Sequence, residues 1–133
     1  MTILYVDDDP DDRQVFVESL KSINDRLTCI TARDGLEALT YLDTHNLPDV
    51  VFLDVNMPLM DGKTCLAEIR GNARTSGVPV IIFTTSSDPA ERVECEVLGA
   101  NDFVRKPVSY TDMKKILSTI FNSSKILDRL KSD

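Results

Sequence analysis

Five polar side chains follow apolar segments of the sequence in a pattern that could support chemistry. Four consecutive apolar residues end at Asp54, and other apolar segments end at Asp7 and Asp8, at Thr84 and close to Lys106. Such segments are typical of buried strands, and in open α/β sheets reactive groups gather beyond the carboxyl ends of the strands. Asp54 is therefore the first candidate for a reactive group, with the other four residues as its neighbours.

Asp7, Asp8 and Asp54 would form a carboxylate cluster if their strands lie side by side. Carboxylates held together repel one another and raise one another's pKa unless a cation joins them. Ligands that offer only oxygen, with room for water, suit Mg²⁺, and Mn²⁺ could take its place. The pattern therefore predicts a divalent-metal site on these three residues, which the backbone carbonyl of Asn56 could complete.

Asp54 could also act as a nucleophile and form an aspartyl phosphate. Lys106 would then supply a compact positive charge for a phosphoryl oxygen, and Thr84 would supply a hydroxyl donor. A cation, an ammonium and a hydroxyl match the three terminal oxygens of a phosphoryl group. The predicted reaction is the transfer of a phosphoryl group to Asp54.

The elements that must position these residues alternate between strand and helix. Apolar or β-branched segments predict strands over residues 2–6, 27–32, 50–53, 78–83 and 101–104. A helix start follows each strand, at Asp9-Pro10, Asp34-Gly35, Asp61-Gly62, Ser87-Asp88, and Ser109 or Thr111. The fourth helix is expected to bury an apolar stripe of Val93, Val97 and Leu98. This alternation predicts an α/β fold with helices on both faces of a parallel sheet, and the flavodoxin-like order 2-1-3-4-5 would bring the ends of strands 1 and 3 together.

Length and charge restrict the class of protein. The 133 residues suffice for one domain, expected over residues 1–121, with 122–133 as a helical extension or a frayed tail. A net charge of −7 argues against binding to nucleic acid or to anionic membranes. Three widely spaced cysteines, without a signal peptide or a membrane-spanning run, lead us to expect a reducing, cytoplasmic location.

Other interpretations explain fewer of these residues. A phosphatase of the haloacid-dehalogenase type also uses a strand-end Asp, a Thr, a Lys and Mg²⁺, and Asp7 with Asp9 could begin its motif. Asp11 then stands where Thr or Val is expected, and Asp54 has no role. A structural scaffold that binds no phosphate is a further alternative. An EF-hand would need Gly at Asp12, and a P-loop would need Gly at Met57.

Four separate motifs resemble those of response-regulator receiver domains, in order and at the family's spacing over residues 1 to about 121. They are Asp7-Asp8, Leu53–Pro58 with Asp61-Gly62, Pro79–Thr84, and Gly99–Pro107. The resemblance implies the CheY-like fold of order 2-1-3-4-5, so that this order is not an independent deduction. It also implies a signalling switch instead of an enzyme, in which a histidine kinase or a His-containing relay protein phosphorylates Asp54 with Mg²⁺.

The resemblance further assigns roles to individual positions. Asp7 and Asp8 would bind the metal, Thr84 and Lys106 the phosphoryl group, and Thr84 with Phe103 would form the switch. Asn56 and Ser86 occupy positions that tune the lifetime of the phosphoryl group, and Lys106-Pro107 would be a cis peptide. Phe103 stands where Tyr is frequent, and Thr85 is bulkier than the residue usual there.

The partners implied are the phosphodonor and a protein target on the face formed by helix 4, strand 5 and helix 5. Thr84-Thr85-Ser86 and Lys106-Pro107-Val108 are similar to single-domain regulators paired with bacteriophytochrome kinases. The apolar stripe of the last helix and the tail residues Ile126, Leu127 and Leu130 could support a homodimer, and core packing or a frayed end would explain them as well.

Overall fold

The computed structural model describes residues 1–122. Strands and helices alternate through this part of the chain, and their bounds are β1 Thr2–Val6, α1 Pro10–Ile23, β2 Thr28–Ala32, α2 Gly35–Thr44, β3 Val50–Leu53, α3 Gly62–Gly71, β4 Val80–Thr84, α4 Pro89–Leu98, β5 Asp102–Arg105 and α5 Tyr110–Asn122. The predicted tail, with its suggested role in a homodimer, lies almost wholly outside the described residues. Among residues 1–122, no helix combines the length and the apolar character needed to cross a membrane.

The five strands form one parallel sheet in the order β2-β1-β3-β4-β5, which confirms the predicted flavodoxin-like fold. Val6 at the end of β1 lies opposite Leu53 at the end of β3. Thr84 at the end of β4 lies opposite Arg105 at the end of β5. The residues that follow these four strands therefore meet at one edge of the sheet.

Two core clusters cover the two faces of the sheet, because successive residues of a strand point to opposite faces. Leu4 and Val6 of β1 belong to the cluster that includes Leu42 of α2 and Leu66 of α3. Ile3 and Tyr5 belong to the other cluster, whose helical members are Phe16 and Leu20 of α1 and Met113, Leu117 and Ile120 of α5. Helices on both faces thus fix the strands that carry the candidate residues.

Aspartates begin four of the helices at the same edge of the sheet. Each N-cap carboxylate accepts a hydrogen bond from a backbone N–H of the first turn, and the caps are Asp9, Asp34, Asp61 and Asp88. Such caps satisfy N–H groups that would otherwise lack partners. At the other end of α4, Gly99 has a φ of 107°, in the left-handed region that glycine adopts readily.

Three local predictions were wrong. Strand β4 begins at Val80 instead of Val78, because the Val78 N–H donates to the Thr75 carbonyl in a turn and its own carbonyl accepts from Arg70. Val93 and Val97 are 57% and 81% exposed, and the inward side of α4 is marked by Cys95, which is fully buried. Within residues 1–122 every peptide bond is trans, including Lys106-Pro107.

Candidate functional site

Asp7 and Asp54 lie side by side because the strands that precede them are paired. The Asp54 N–H donates to the Val6 carbonyl over 3.1 Å, and the Asp7 N–H donates to the Ala32 carbonyl over 3.1 Å. Both carboxylates are buried, with only 1% and 8% of Asp7 and Asp54 exposed, whereas Asp8 is exposed. Carboxylate oxygens of Asp7, Asp8 and Asp54 lie within 4.8 Å of one another. The carboxylate cluster predicted from the sequence is therefore formed.

Lys106 extends its ammonium group into this cluster. Its backbone N–H donates to the Thr84 carbonyl over 2.7 Å, which ties the residue to the end of β4. The buried Nζ donates to Oδ2 of Asp7, and it lies 3.2 Å from Oδ2 of Asp54 and 3.2 Å from Oδ2 of Asp12. Three carboxylates thus share one ammonium group, which leaves the cluster with an excess of negative charge.

Burial and the charges at the site together raise the pKa of Asp54 and of Lys106. Burial alone would lower the pKa of the Lys106 ammonium, but the hydrogen bond to Asp7 and the charges of Asp54 and Asp7 outweigh it and raise the pKa. Burial raises the pKa of the Asp54 carboxyl, Asp7 raises it further, and Lys106 only partly opposes them. Lys106 therefore remains charged, while the anionic form of Asp54 is disfavoured until more positive charge arrives.

Tyr5 contributes a contact that the sequence analysis did not anticipate. Its hydroxyl donates to Oδ2 of Asp7 over 2.7 Å, and its ring stacks on Phe16 with the centroids 3.9 Å apart. Burial, followed by the charge of Asp7, raises the pKa of this phenol. The signal was available, because Tyr5 and Asp7 are two residues apart and therefore point to the same face at the end of β1.

Asp12 is the second residue that the sequence analysis missed. It lies in the first turn of α1, where acidic residues are common because of the helix dipole. Its side chain nevertheless contacts Lys106, because Phe16, one turn further along the helix, faces the core. Helical spacing from Phe16 would have placed Asp12 on the side of α1 that faces the sheet.

Thr84, Ser86 and Phe103 line the neighbouring end of the sheet. Thr84 is fully buried, and its Oγ1 accepts a hydrogen bond from the Ser86 N–H over 3.3 Å. Phe103 is half-buried, pairs with Ile82 in the sheet and packs against the core cluster that contains Leu4. These positions are compatible with a switch, and the assigned roles stay predictions.

The loop after β3 closes tightly against α3. The exposed Asn56 donates its N–H to Oδ1 of Asp54 over 3.4 Å. The Gly62 N–H donates to the Val55 carbonyl over 2.8 Å, and a Cβ atom at Gly62 would lie 2.1 Å from the Asp54 carbonyl oxygen. Only glycine permits this approach, which fixes the backbone of Asp54.

The donor set of the cluster fits a hard divalent cation. Asp7, Asp8 and Asp54 offer carboxylate oxygens alone, and such ligands suit Mg²⁺ or Mn²⁺ better than softer metals. The charge of a bound cation would also offset the repulsion among the carboxylates, which the single ammonium group of Lys106 does not neutralise.

The chain belongs to the response regulator receiver domain family, whose model matches residues 3–118. It is 39% identical over 112 residues to a probable transcriptional regulator, ycf27, of Guillardia theta, which covers 84% of this chain and 42% of that protein. It is 33% identical over 118 residues to the two-component response regulator ORR13 of Oryza sativa subsp. japonica, with 89% and 96% covered. The family predicted from the four motifs is thereby confirmed. The chain spans less than half the length of several other curated relatives that it matches.

Solved structures agree with this assignment. The Mn²⁺-bound response regulator Rcp1 is 30% identical, with a TM-score of 0.80 and 90% of each chain covered. The phosphorylated cyanobacterial phytochrome response regulator RcpA is 27% identical, with a TM-score of 0.84 and 93% and 94% covered. The chemotaxis protein CheY4 of Vibrio cholerae is 29% identical, with a TM-score of 0.76 and 90% and 97% covered. The predicted similarity to CheY-like and phytochrome-associated regulators is confirmed.

Proposed function

We propose that this protein is the phosphoacceptor of a two-component phosphorelay, and that Asp54 receives the phosphoryl group. The convergence of Asp7, Asp54 and Lys106 at one edge of the sheet carries this proposal. The proposed donor is a histidine kinase or a His-containing relay protein. In the transfer, a carboxylate oxygen of Asp54 forms a bond to phosphorus while the bond from phosphorus to the donor imidazole breaks.

Asp54 is a better candidate nucleophile than Asp7, because its carboxylate makes fewer hydrogen bonds. Oδ1 of Asp7 accepts from the Asp9 N–H over 3.0 Å, and its Oδ2 accepts from both Tyr5 and Lys106. Among the donors of residues 1–122, Asp54 accepts only from Lys106 over 3.2 Å and from the Asn56 N–H over 3.4 Å. Asp54 therefore keeps more free lone pairs, which argues for the receiver function against a phosphatase that uses Asp7.

Asp7, Asp8 and Asp54 would hold Mg²⁺, with the Asn56 carbonyl as a further oxygen ligand. The cation would neutralise charge that develops on the phosphoryl oxygens. Lys106 would move part of its hydrogen bonding from Asp54 to a phosphoryl oxygen, and its raised pKa keeps it charged for that contact.

Phosphorylation would be signalled to a protein target by a conformational change. Thr84 would donate to the phosphoryl group and Phe103 would turn into the space that Thr84 leaves, while Asn56 and Ser86 would tune the lifetime. Two new hydrogen bonds to a charged group contribute roughly 1.5–3 kcal/mol each. Their sum approaches the ~5.5 kcal/mol that converts a 1:99 mixture of switched and unswitched conformations into a 99:1 mixture.

Exposed apolar side chains support the face of α4, β5 and α5 as the target site. Val93 and Val97 on α4 are 57% and 81% exposed, and Val108 and Tyr110 before and at the start of α5 are 100% and 42% exposed. Burying such side chains against a partner is favourable. We infer that the output is a binding event on this face.

The acceptor assignment is tested by labelling with acetyl phosphate or phosphoramidate in the presence of Mg²⁺. We expect one phosphoryl group on Asp54 that base and hydroxylamine remove, as they do from acyl phosphates. It should not form when a chelator is present from the start, and it should be absent from Asp54→Asn. Asp25→Asn, which removes an exposed carboxylate elsewhere, is the matched control and should label normally. Label on Asp7, or sustained turnover of unrelated phosphomonoesters, would instead indicate the phosphatase; no label and no Mg²⁺ binding would indicate a scaffold.

A further inference from the structure

Asp12, the third partner of Lys106, belongs neither to the proposed metal ligands nor to the proposed phosphoryl-binding residues. We infer that Asp12 restrains the phosphorylation of Asp54 by small anionic phosphodonors, through its contact with Lys106 and through its own negative charge. This inference rests on the proposed function of Asp54 as the acceptor. Asp12 would act as a positioning and specificity-determining residue, since its charge acts on Lys106 and on the approaching donor.

Asp12 is held in place by the start of α1. Its N–H donates to Oδ1 of the N-cap Asp9 over 3.3 Å, and Phe16, one turn later, is fully buried against the sheet. The Asp12 side chain is 41% exposed, whereas those of Asp7 and Asp54 are 1% and 10% exposed. Of the three carboxylates that contact Lys106, Asp12 is thus the one at the rim, and Asp7 and Asp54 lie inside the site.

The position of Asp12 weakens the electrostatic attraction of the site for anions. Oδ2 of Asp12 and Oδ2 of Asp54 each lie 3.2 Å from the Lys106 Nζ, so the two oxygens are close to each other. At a separation of about 6 Å in water, with ordinary salt, a carboxylate disfavours a dianionic phosphodonor by roughly threefold to tenfold. Asp12 also occupies an N–H of the ammonium that would otherwise be available to the donor.

Asp11, which precedes Asp12 in the chain, provides a matched control for the loss of one negative charge. Asp11 lies in the same turn of α1, and its N–H donates to the same oxygen of Asp9, over 2.8 Å. Its side chain is exposed and makes none of the ion pairs found within residues 1–122. Asp11→Asn and Asp12→Asn therefore remove the same charge from the same turn, and only Asp12→Asn alters the surroundings of Lys106.

The experiment compares the wild-type protein, Asp11→Asn and Asp12→Asn during labelling by acetyl phosphate at saturating Mg²⁺. We expect Asp12→Asn to be labelled on Asp54 about threefold to tenfold faster at low ionic strength. The difference should shrink at high ionic strength, because salt screens exposed charges. Asp11→Asn should stay within about twofold of the wild type.

Four outcomes would overturn the inference, and the last of them would also overturn the acceptor assignment. Equal rates in the two variants would show that only the overall charge matters, and slower labelling of Asp12→Asn would show that Asp12 assists the reaction. A difference that is insensitive to salt would indicate that the substitution acts through local structure instead of through charge. If the wild type and Asp11→Asn carry no label on Asp54, the acceptor assignment itself fails, and this inference fails with it.

Discussion

Asp7 is the most heavily contacted carboxylate of the site, and Tyr5 is its only neutral side-chain donor among the described residues. The phenol is fixed by its stack on Phe16 and by an edge contact to Phe83, with ring centroids 6.2 Å apart. A donor locked in this way orients the carboxylate that it contacts, and such outer contacts commonly affect metal affinity. Tyr5 therefore connects the aromatic core to the proposed metal site.

Tyr5→Phe removes this hydrogen bond and preserves the ring. We expect the affinity for Mg²⁺ to fall by about tenfold, because the Asp7 carboxylate loses its fixed orientation. Isothermal titration calorimetry with Mg²⁺ measures the change. Tyr41→Phe is the matched control, since Tyr41 stacks on His45 far from the cluster in sequence and should leave the affinity unaltered. An unchanged affinity in Tyr5→Phe would show that Asp7 is oriented by its other contacts.

At the scale of the helices and strands, α3 determines where Asp54 lies. The close approach of Gly62 to the Asp54 carbonyl joins the start of α3 to the end of β3. A glycine at the other end of the same helix, Gly71, has open space where its Cβ atom would be. A Cβ atom therefore fits at Gly71 and clashes with the backbone at Gly62.

Gly62→Ala places a methyl group against the Asp54 backbone. We expect a loss of about 2 kcal/mol in the free energy of unfolding, as in other overpacked sites, together with slower labelling of Asp54. Gly71→Ala should be neutral or slightly stabilising, because alanine restricts the unfolded chain. Urea unfolding and acetyl phosphate labelling of both variants provide the test. Equal stability of Gly62→Ala and Gly71→Ala would contradict the role given to this contact.

Much of the fold and site followed from local sequence, and α4 shows where that approach failed. Continuous apolar strands, aspartate caps and polar residues after strand ends each have a local signature, so the strands, the helix starts and the five predicted site residues could be placed. The order of the strands in the sheet came from the resemblance to receiver domains. Helix α4 carries two apolar series, Val93 with Val97 and Cys95 with Leu98. Periodicity alone does not decide which series faces the sheet. Tyr5 and Asp12 were missed because neither follows the end of a strand, although spacing from Asp7 and from Phe16 indicates the direction of each side chain.

At the scale of the whole molecule, buried thiols make the free energy of unfolding depend on pH. Burial raises the pKa of Cys29 and of Cys65 from an ordinary value of 9.0 to about 12. Between about pH 9 and about pH 12, these two thiols are ionised in the unfolded chain and still protonated in the folded protein. The folded state therefore loses stability as the pH rises from about 9 towards 12, and these thiols contribute no such change below that range.

Cys65→Ala removes one of these groups. We expect the free energy of unfolding to fall less steeply between about pH 8 and about pH 10 in this variant than in the wild type, because one proton-retaining thiol is gone. Urea unfolding at the two pH values measures each slope, and comparing slopes removes the constant cost of the cavity. Identical slopes would mean that the Cys65 thiol loses its proton equally in the folded and the unfolded state, and would contradict the prediction.

The parallel order of the strands has a consequence for how the chain is assembled. Asp7, Asp12 and Asp54 all precede Lys106, whose ammonium arrives only after β5, the last strand, has been made. Domains generally fold as units, so a stable sheet requires that β5 has been made. Until β5 docks, the paired ends of β1 and β3 hold carboxylates without this counterion, and their mutual repulsion opposes pairing. The lysine that would meet the phosphoryl group is therefore also the counterion that the folded sheet supplies to these carboxylates.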